Sequence, residues 1–234
     1  YVHALRLFRQ NDDQESSSPM QLDSPEAAVS RVWENIERAI KRFDPDVDKK
    51  KEAFLSRLYH AMEFRFKHAV KHAKEGVTDP FASVDLLKYS QQQDPPYIHG
   101  IDREVRVGFL PIAGNPPNWG HMLMCFVGID MAKLDTVVMR CQGQISYKNL
   151  LMCERVSIED RHFMTKESIK DMFPLVRYTD LGSEEDNACE GTEEMHRFLE
   201  LNSGRRLHIF YLIGAEKEAR MWNYMRQQYE MFRK

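Results

Sequence analysis

Cysteine is scarce: the 234 residues hold four, Cys125, Cys141, Cys153 and Cys189. None of them has the two-residue separation of a zinc knuckle, and four thiols in a chain this long do not make a disulfide scaffold. They read as reduced thiols, as expected of a cytoplasmic protein. Long apolar runs are lacking as well. The longest, near Met122 to Val127, stops at Gly128 and falls far short of the ~20 residues that span a bilayer. The N-terminus has no signal-peptide pattern, and it starts with Tyr1 rather than Met, as a trimmed chain would. Neither sign of charge dominates: 33 Lys and Arg stand against 36 Asp and Glu, a formal net charge of −3. That excludes a global basic field, and with it whole-surface binding to nucleic acid, while leaving room for a local anion site. What is present is a globular balance of 42% hydrophobic and 29% charged residues, which excludes a wholly disordered chain. The length suits one large domain or two small ones.

Residues 1–23 read as a flexible segment, Ser-rich and without a period between Asn11 and Ser24. Ser24 then looks like an N-cap, with Pro25 at the first helical position and Glu26 in the first turn. Val29, Val32, Trp33, Ile36, Ile40 and Phe43 follow at helical spacing until Asp44-Pro45. A second helix is expected from Asp46 to Asp48 onward, with a stripe of Leu55, Leu58, Tyr59, Met62, Phe66, Ala69, Val70 and Ala73 and a C-terminal cap at Gly76. Together, residues 24–77 predict an α-helical hairpin. Residues 78–102, with Pro80, Pro95 and Pro96, read as a linker.

From residue 103 the pattern alternates. Strands are expected at Val105–Leu110, Thr136–Cys141, Leu175–Tyr178 and Leu207–Ile213, and helices at His121–Lys133, Ser157–Met172 and Thr192–Leu201. Strands alternating with helices predict βαβ units and an α/β, Rossmann-like parallel sheet over 103–234. Between the first strand and its helix runs Leu110 to Met122, LPIAGNPPNWGHM. In such sheets ligands bind beyond the carboxyl ends of the strands, and backbone N–H groups opening a helix favour an anion. Gly120 lets the backbone approach closely, and His121 is placed to donate to a phosphate.

The run Asn115, Pro116, Gly120, His121 resembles the HxGH-type signature of the nucleotidyltransferase superfamily, most closely nicotinamide/nicotinate mononucleotide adenylyltransferases. Asn118 stands where that family has His or Thr, and Ala113-Gly114 where it has Thr/Ser-Phe. Arg161-His162-Phe163-Met164 is similar to its R-x-x-M, Lys148 lies where it places a phosphate-contacting Lys, and Ile213-Gly214-Ala215-Glu216 resembles its I-G-A-D. Trp222 matches a Trp the family has shortly afterwards. The resemblance covers Glu104 to Trp222. The family's second phosphate motif, I-S-S-T-x-x-R, is not in the sequence, so the expectation is a domain lacking its C-terminal end.

The resemblance implies transfer of the adenylyl group of ATP to a mononucleotide phosphate of the NMN/NaMN type, with release of pyrophosphate, as in NAD biosynthesis. It implies catalytic roles for His121, Lys148 and Arg161. It implies nucleotide contacts from Ala113, Gly114, Asn115, Asn118, Gly120, His121, Gly214 and Glu216, and a substrate contact from Trp222. Mg²⁺ would arrive with ATP, with no metal held by side chains. The expected partners are ATP and a phosphomonoester, with no nucleic acid and no membrane, and a homo-oligomer stays open. Two alternatives stay open too: another acceptor such as phosphopantetheine or a cytidylyl transfer, and a nucleotide-binding module without activity.

Other features invite blander readings. His60, His68 and His72 are expected on a solvated or interdomain face, opposite the stripe of Leu55, Met62 and Val70. His68 and His72 have i, i+4 spacing but no H-E-x-x-H pattern, so no metal is expected there. The acidic run of Glu184, Glu185, Asp186, Glu190, Glu193 and Glu194 reads as a solvated loop.

Overall fold

The computed structural model describes residues 33, 34, 37, 38, 49–80, 103–143, 156–181, 192–214 and 226. The described elements run α1 (Lys49–Lys74), β1 (Val105–Ile112), α2 (Trp119–Ala132), β2 (Thr136–Cys141), α3 (Ile158–Ile169), β3 (Val176–Thr179), α4 (Thr192–Leu201) and β4 (Leu207–Tyr211). The class is α/β, as expected. The four strands form one all-parallel sheet in the order β3-β2-β1-β4.

The strands form where apolar and β-branched residues run together. β1 and β2 are buried along nearly their whole lengths, the signature of a parallel sheet covered on both faces. β1 runs two residues past its expected end, through Pro111. The ladder between β1 and β4 ends at Phe109 and Tyr211, while that between β1 and β2 continues to Ile112 and Cys141. The carbonyl of Phe109 accepts from the N–H of Leu212 on the β4 side, so Pro111, two residues on, turns its missing N–H past the end of that ladder.

Helix ends follow the sequence closely. Gly76 takes a left-handed φ of 71° after α1, and the N–H groups of Gly76, Val77 and Thr78 close back on Ala73 and His72 carbonyls. The Ser157 side chain accepts from the N–H of Asp160 and caps α3, with Glu159 and Asp160 in the first turn. α2 begins two residues earlier than expected, at Trp119.

One apolar cluster joins α1 to the sheet. Met62, Phe66 and Ala69 lie buried with Met122, Cys125, Phe126 and Ile129 of α2 and with Leu110, Ile112, Val137 and Met139 of the strands. The rings of Phe66 and Phe126 meet edge to face at 5.4 Å. Of the expected first hairpin helix, Trp33, Glu34, Glu37 and Arg38 are described and helical, and Trp33 stacks on Phe66 at 5.2 Å. The rest of that helix lies outside the described residues. Asp79 in the expected linker and Arg103 just after it are both tied to Asp135 at the start of β2. Its Oδ1 accepts from the Asp79 N–H at 2.7 Å and its Oδ2 from Arg103 Nη1 at 3.1 Å.

A smaller cluster on the other face packs Phe109 and Val138 against Phe198 of α4. There Glu194 is fully buried and ion-pairs with Arg140 of β2. That corrects the expectation of a solvated acidic run at this residue: the first turn of α4 points its carboxylate into the sheet to neutralise a buried guanidinium. Glu184, Glu185, Asp186 and Glu190 lie outside the described residues.

Candidate functional site

The strand order 3-2-1-4 reverses direction between β1 and β4, and the carboxyl ends of these two strands flank the crevice where open α/β sheets bind ligands. The segment from Ala113 to Asn118 leaves β1 at this point. Gly114 has φ 66°, and a Cβ there would lie 2.5 Å from Cys141 Sγ and 2.8 Å from Thr165 Oγ1. Only glycine satisfies both the turn and the closeness of β2 and α3.

Arg161 secures the same turn from beneath. It is buried in the first turn of α3, and its Nη1 donates to the Ala113 carbonyl at 2.7 Å and the Gln142 carbonyl at 2.9 Å. One guanidinium thus ties together the chain leaving β1 and the chain leaving β2. Cys141 Sγ lies 2.9 Å from Thr165 Oγ1, which packs α3 against the end of β2. Burial pushes the Cys141 thiol up to about 11, so it stays protonated at neutral pH.

α2 then opens with a reciprocal cap. Asn118, in extended conformation, accepts at Oδ1 from the His121 N–H at 3.2 Å, and its own N–H donates to His121 Nδ1 at 3.0 Å. This is a capping box with His in the place of Glu or Gln. With Nδ1 accepting, a neutral His121 carries its proton on Nε2. His121 therefore sits at the third position of the helix, within its first turn, half-buried, with a structural role its motif does not advertise.

Ala113, Gly114, Asn115, Asn118, Gly120 and His121 are thus gathered on one turn and helix start. Gly214 follows β4 on the neighbouring strand. Continuing the β1–β4 register from Phe109 and Tyr211 brings it level with Ile112. Arg161 lies behind the turn and reaches it through the backbone. Lys148, Glu216 and Trp222 lie outside the described residues.

His162, beside Arg161, is buried against β3, its Nδ1 hydrogen-bonded to the Tyr178 hydroxyl. Burial, with Arg140 and Arg161 nearby, lowers its pKa to about 4, so the ring is neutral at pH 7. The histidines of α1 divide between the two faces expected for them, solvent and the sheet domain. His60 is exposed, but His68 and His72 meet Asp130 near the end of α2. His72 is three residues beyond buried Ala69, about 60° around the helix from it, so it flanks the apolar stripe rather than opposing it. Asp130 is the residue that sequence reasoning missed. It is a lone acid inside an apolar helix, and that is the one signal it offered.

Among the described residues no helix is long and apolar enough to cross a membrane. No family model matches the chain, and no curated protein matches it.

Proposed function

We propose that the protein binds ATP at the β1–α2 turn and transfers its adenylyl group to a phosphomonoester, of which a pyridine mononucleotide is the favoured class. The observation that carries this reading is the constellation at the switch point: a glycine turn, a helix N-terminus and the proton-bearing Nε2 of His121 on one loop beside the end of β4. Backbone N–H groups and an imidazole donor suit phosphate oxygens.

The chemistry asks for no general base. An oxygen of the acceptor phosphate, already an anion at pH 7, forms a bond to the α-phosphorus of ATP. The bond from that phosphorus to the bridging oxygen breaks, and pyrophosphate leaves with the bond's electron pair. Catalysis is then positioning and stabilisation of phosphate charge. His121 Nε2–H donates to the triphosphate, while Asn118 holds the ring through Nδ1. Arg161 acts on the turn rather than on the nucleotide, by fixing the Ala113 carbonyl.

Ala113 to His121 includes no carboxylate, so this turn suits phosphate rather than a bare cation. Mg²⁺ comes bound to ATP and supplies charge neutralisation on its phosphates.

One observation favours a second reading, a nucleotide-binding module without transfer. Arg161, the expected catalytic cation, spends its Nη1 on two carbonyls. Pyrophosphate release from Mg·ATP, measured across a panel of phosphomonoesters, separates the two. Release that depends on one acceptor supports transfer. ATP binding without release with any acceptor supports the module, and no ATP binding removes both.

A further inference from the structure

At the other end of α2 lies a second group of chemistry-bearing side chains, independent of the nucleotide reading. Asp130 is eleven residues beyond Trp119, about 16 Å along the helix. We propose that His68, His72 and Asp130 form a site for a divalent transition-metal ion of the zinc class, bridging α1 and α2.

His68 and His72 are one helical turn apart and present their rings to the same side of α1. His72 Nε2 is 3.1 Å from Asp130 Oδ1, and His68 Nδ1 is 3.5 Å from the same oxygen. The three ligand atoms all lie within 4.8 Å of one another. Ligands about 2.0–2.1 Å from a tetrahedral ion sit about 3.3 Å apart, so the group needs only a small closure. Three protein ligands leave a fourth position for water, and half-exposed His68 keeps the group in reach of solvent.

The surroundings prepare the carboxylate. Arg65 Nη1 donates to Asp130 Oδ2 at 2.6 Å, which leaves Oδ1 turned to the imidazoles. A cation is already drawn to this spot. The ammonium of Lys133 hydrogen-bonds His72 Nε2 and lies 3.8 Å from Asp130 Oδ1. Lys133 is 39% exposed on a flexible stem and can withdraw to water when a metal takes its place.

Two imidazoles and one carboxylate suit zinc, cobalt or nickel, whereas Mg²⁺ and Ca²⁺ take oxygen ligands. Arg65 and Lys133 oppose a further positive charge, which sets the affinity at the micromolar rather than the nanomolar level. The spacing of His68 and His72 could not show this site, because its third ligand comes from another helix.

The test is calorimetric titration of the full chain, stripped with a chelator, with zinc chloride, alongside cobalt chloride absorption spectra. One equivalent is expected to bind in the micromolar range, with a four-coordinate cobalt spectrum lacking a thiolate charge-transfer band. His68→Ala and Asp130→Asn are each expected to weaken binding at least about tenfold. Lys133→Met is expected to strengthen it, and His60→Ala to leave it unchanged. Absence of stoichiometric binding, equal binding by His68→Ala and the parent, or a thiolate band overturns the proposal. If Asp130→Asn fails to fold, His68→Ala decides, since that side chain is half-exposed.

Discussion

The backbone N–H of Asn118 donates to Nδ1 of His121 at 3.0 Å, and the side chain of Asn118 accepts from the backbone N–H of His121 at 3.2 Å. Each residue fixes the other, so both stabilise the helix start at which we propose that phosphate binds. Asn118→Ala should cost about 1 kcal/mol in urea unfolding, the usual value of an N-cap. His121→Ala should cost a similar or smaller amount and fold. Its transfer activity should fall about 10²–10³-fold, the typical loss for one positioned donor. A fold-competent variant with unchanged activity removes His121 from the chemistry.

Gly114→Ala should destabilise by about 1–3 kcal/mol, because φ is positive there and the new methyl meets Cys141 and Thr165. Thermal unfolding of the variant checks this. A neutral outcome means that the turn is not held as described.

Glu194→Ala leaves the Arg140 guanidinium buried without its carboxylate. The loss should be about 3–5 kcal/mol in denaturant unfolding. A loss below 1 kcal/mol contradicts a buried ion pair at this position.

His162 predicts an acid-labile fold. Its folded pKa of about 4 lies below the ordinary 6.5, so between these values the unfolded chain binds a proton that the folded chain refuses. Stability from this group is therefore unaffected above pH 6.5 and falls as pH drops toward 4, by about 3 kcal/mol. His162→Gln should remove that fall relative to the parent in unfolding midpoints taken across the range. Parallel curves for the two proteins contradict it.

Phe66→Ala should cost about 3–5 kcal/mol, since the ring lies in the core that α1 shares with α2 and the strands. An unchanged unfolding midpoint shows instead that α1 is dispensable to the sheet.

The sheet was legible because its strands are short, mostly apolar and β-branched runs bounded by turns. Thr136–Cys141 and Thr192–Leu201 fall where their patterns start and stop. The pattern was silent where partners come from afar. Nothing local marks Glu194 as the counter-charge of Arg140, which lies 54 residues away. Nothing marks Asp130 as the partner of His72, across 58 residues. The motif at Asn115 to His121 was legible as a turn, while its reciprocal cap was not, since His rarely takes the place of Glu there. Arg161 looked like a catalytic cation in the sequence. Its burial under two carbonyls follows from the packing of α3 against β2, which no spacing encodes.

Binding of nucleotide at the β1–α2 turn is the central claim, and titration of the ¹⁵N-labelled full chain with Mg·ATP addresses it most directly. Amide signals of Ala113 to His121 (the prolines excepted) and of Gly214 should shift together and saturate, with the effect weakened at least about tenfold in His121→Ala. Saturable shifts confined to other residues, or no shifts at millimolar Mg·ATP, would contradict it.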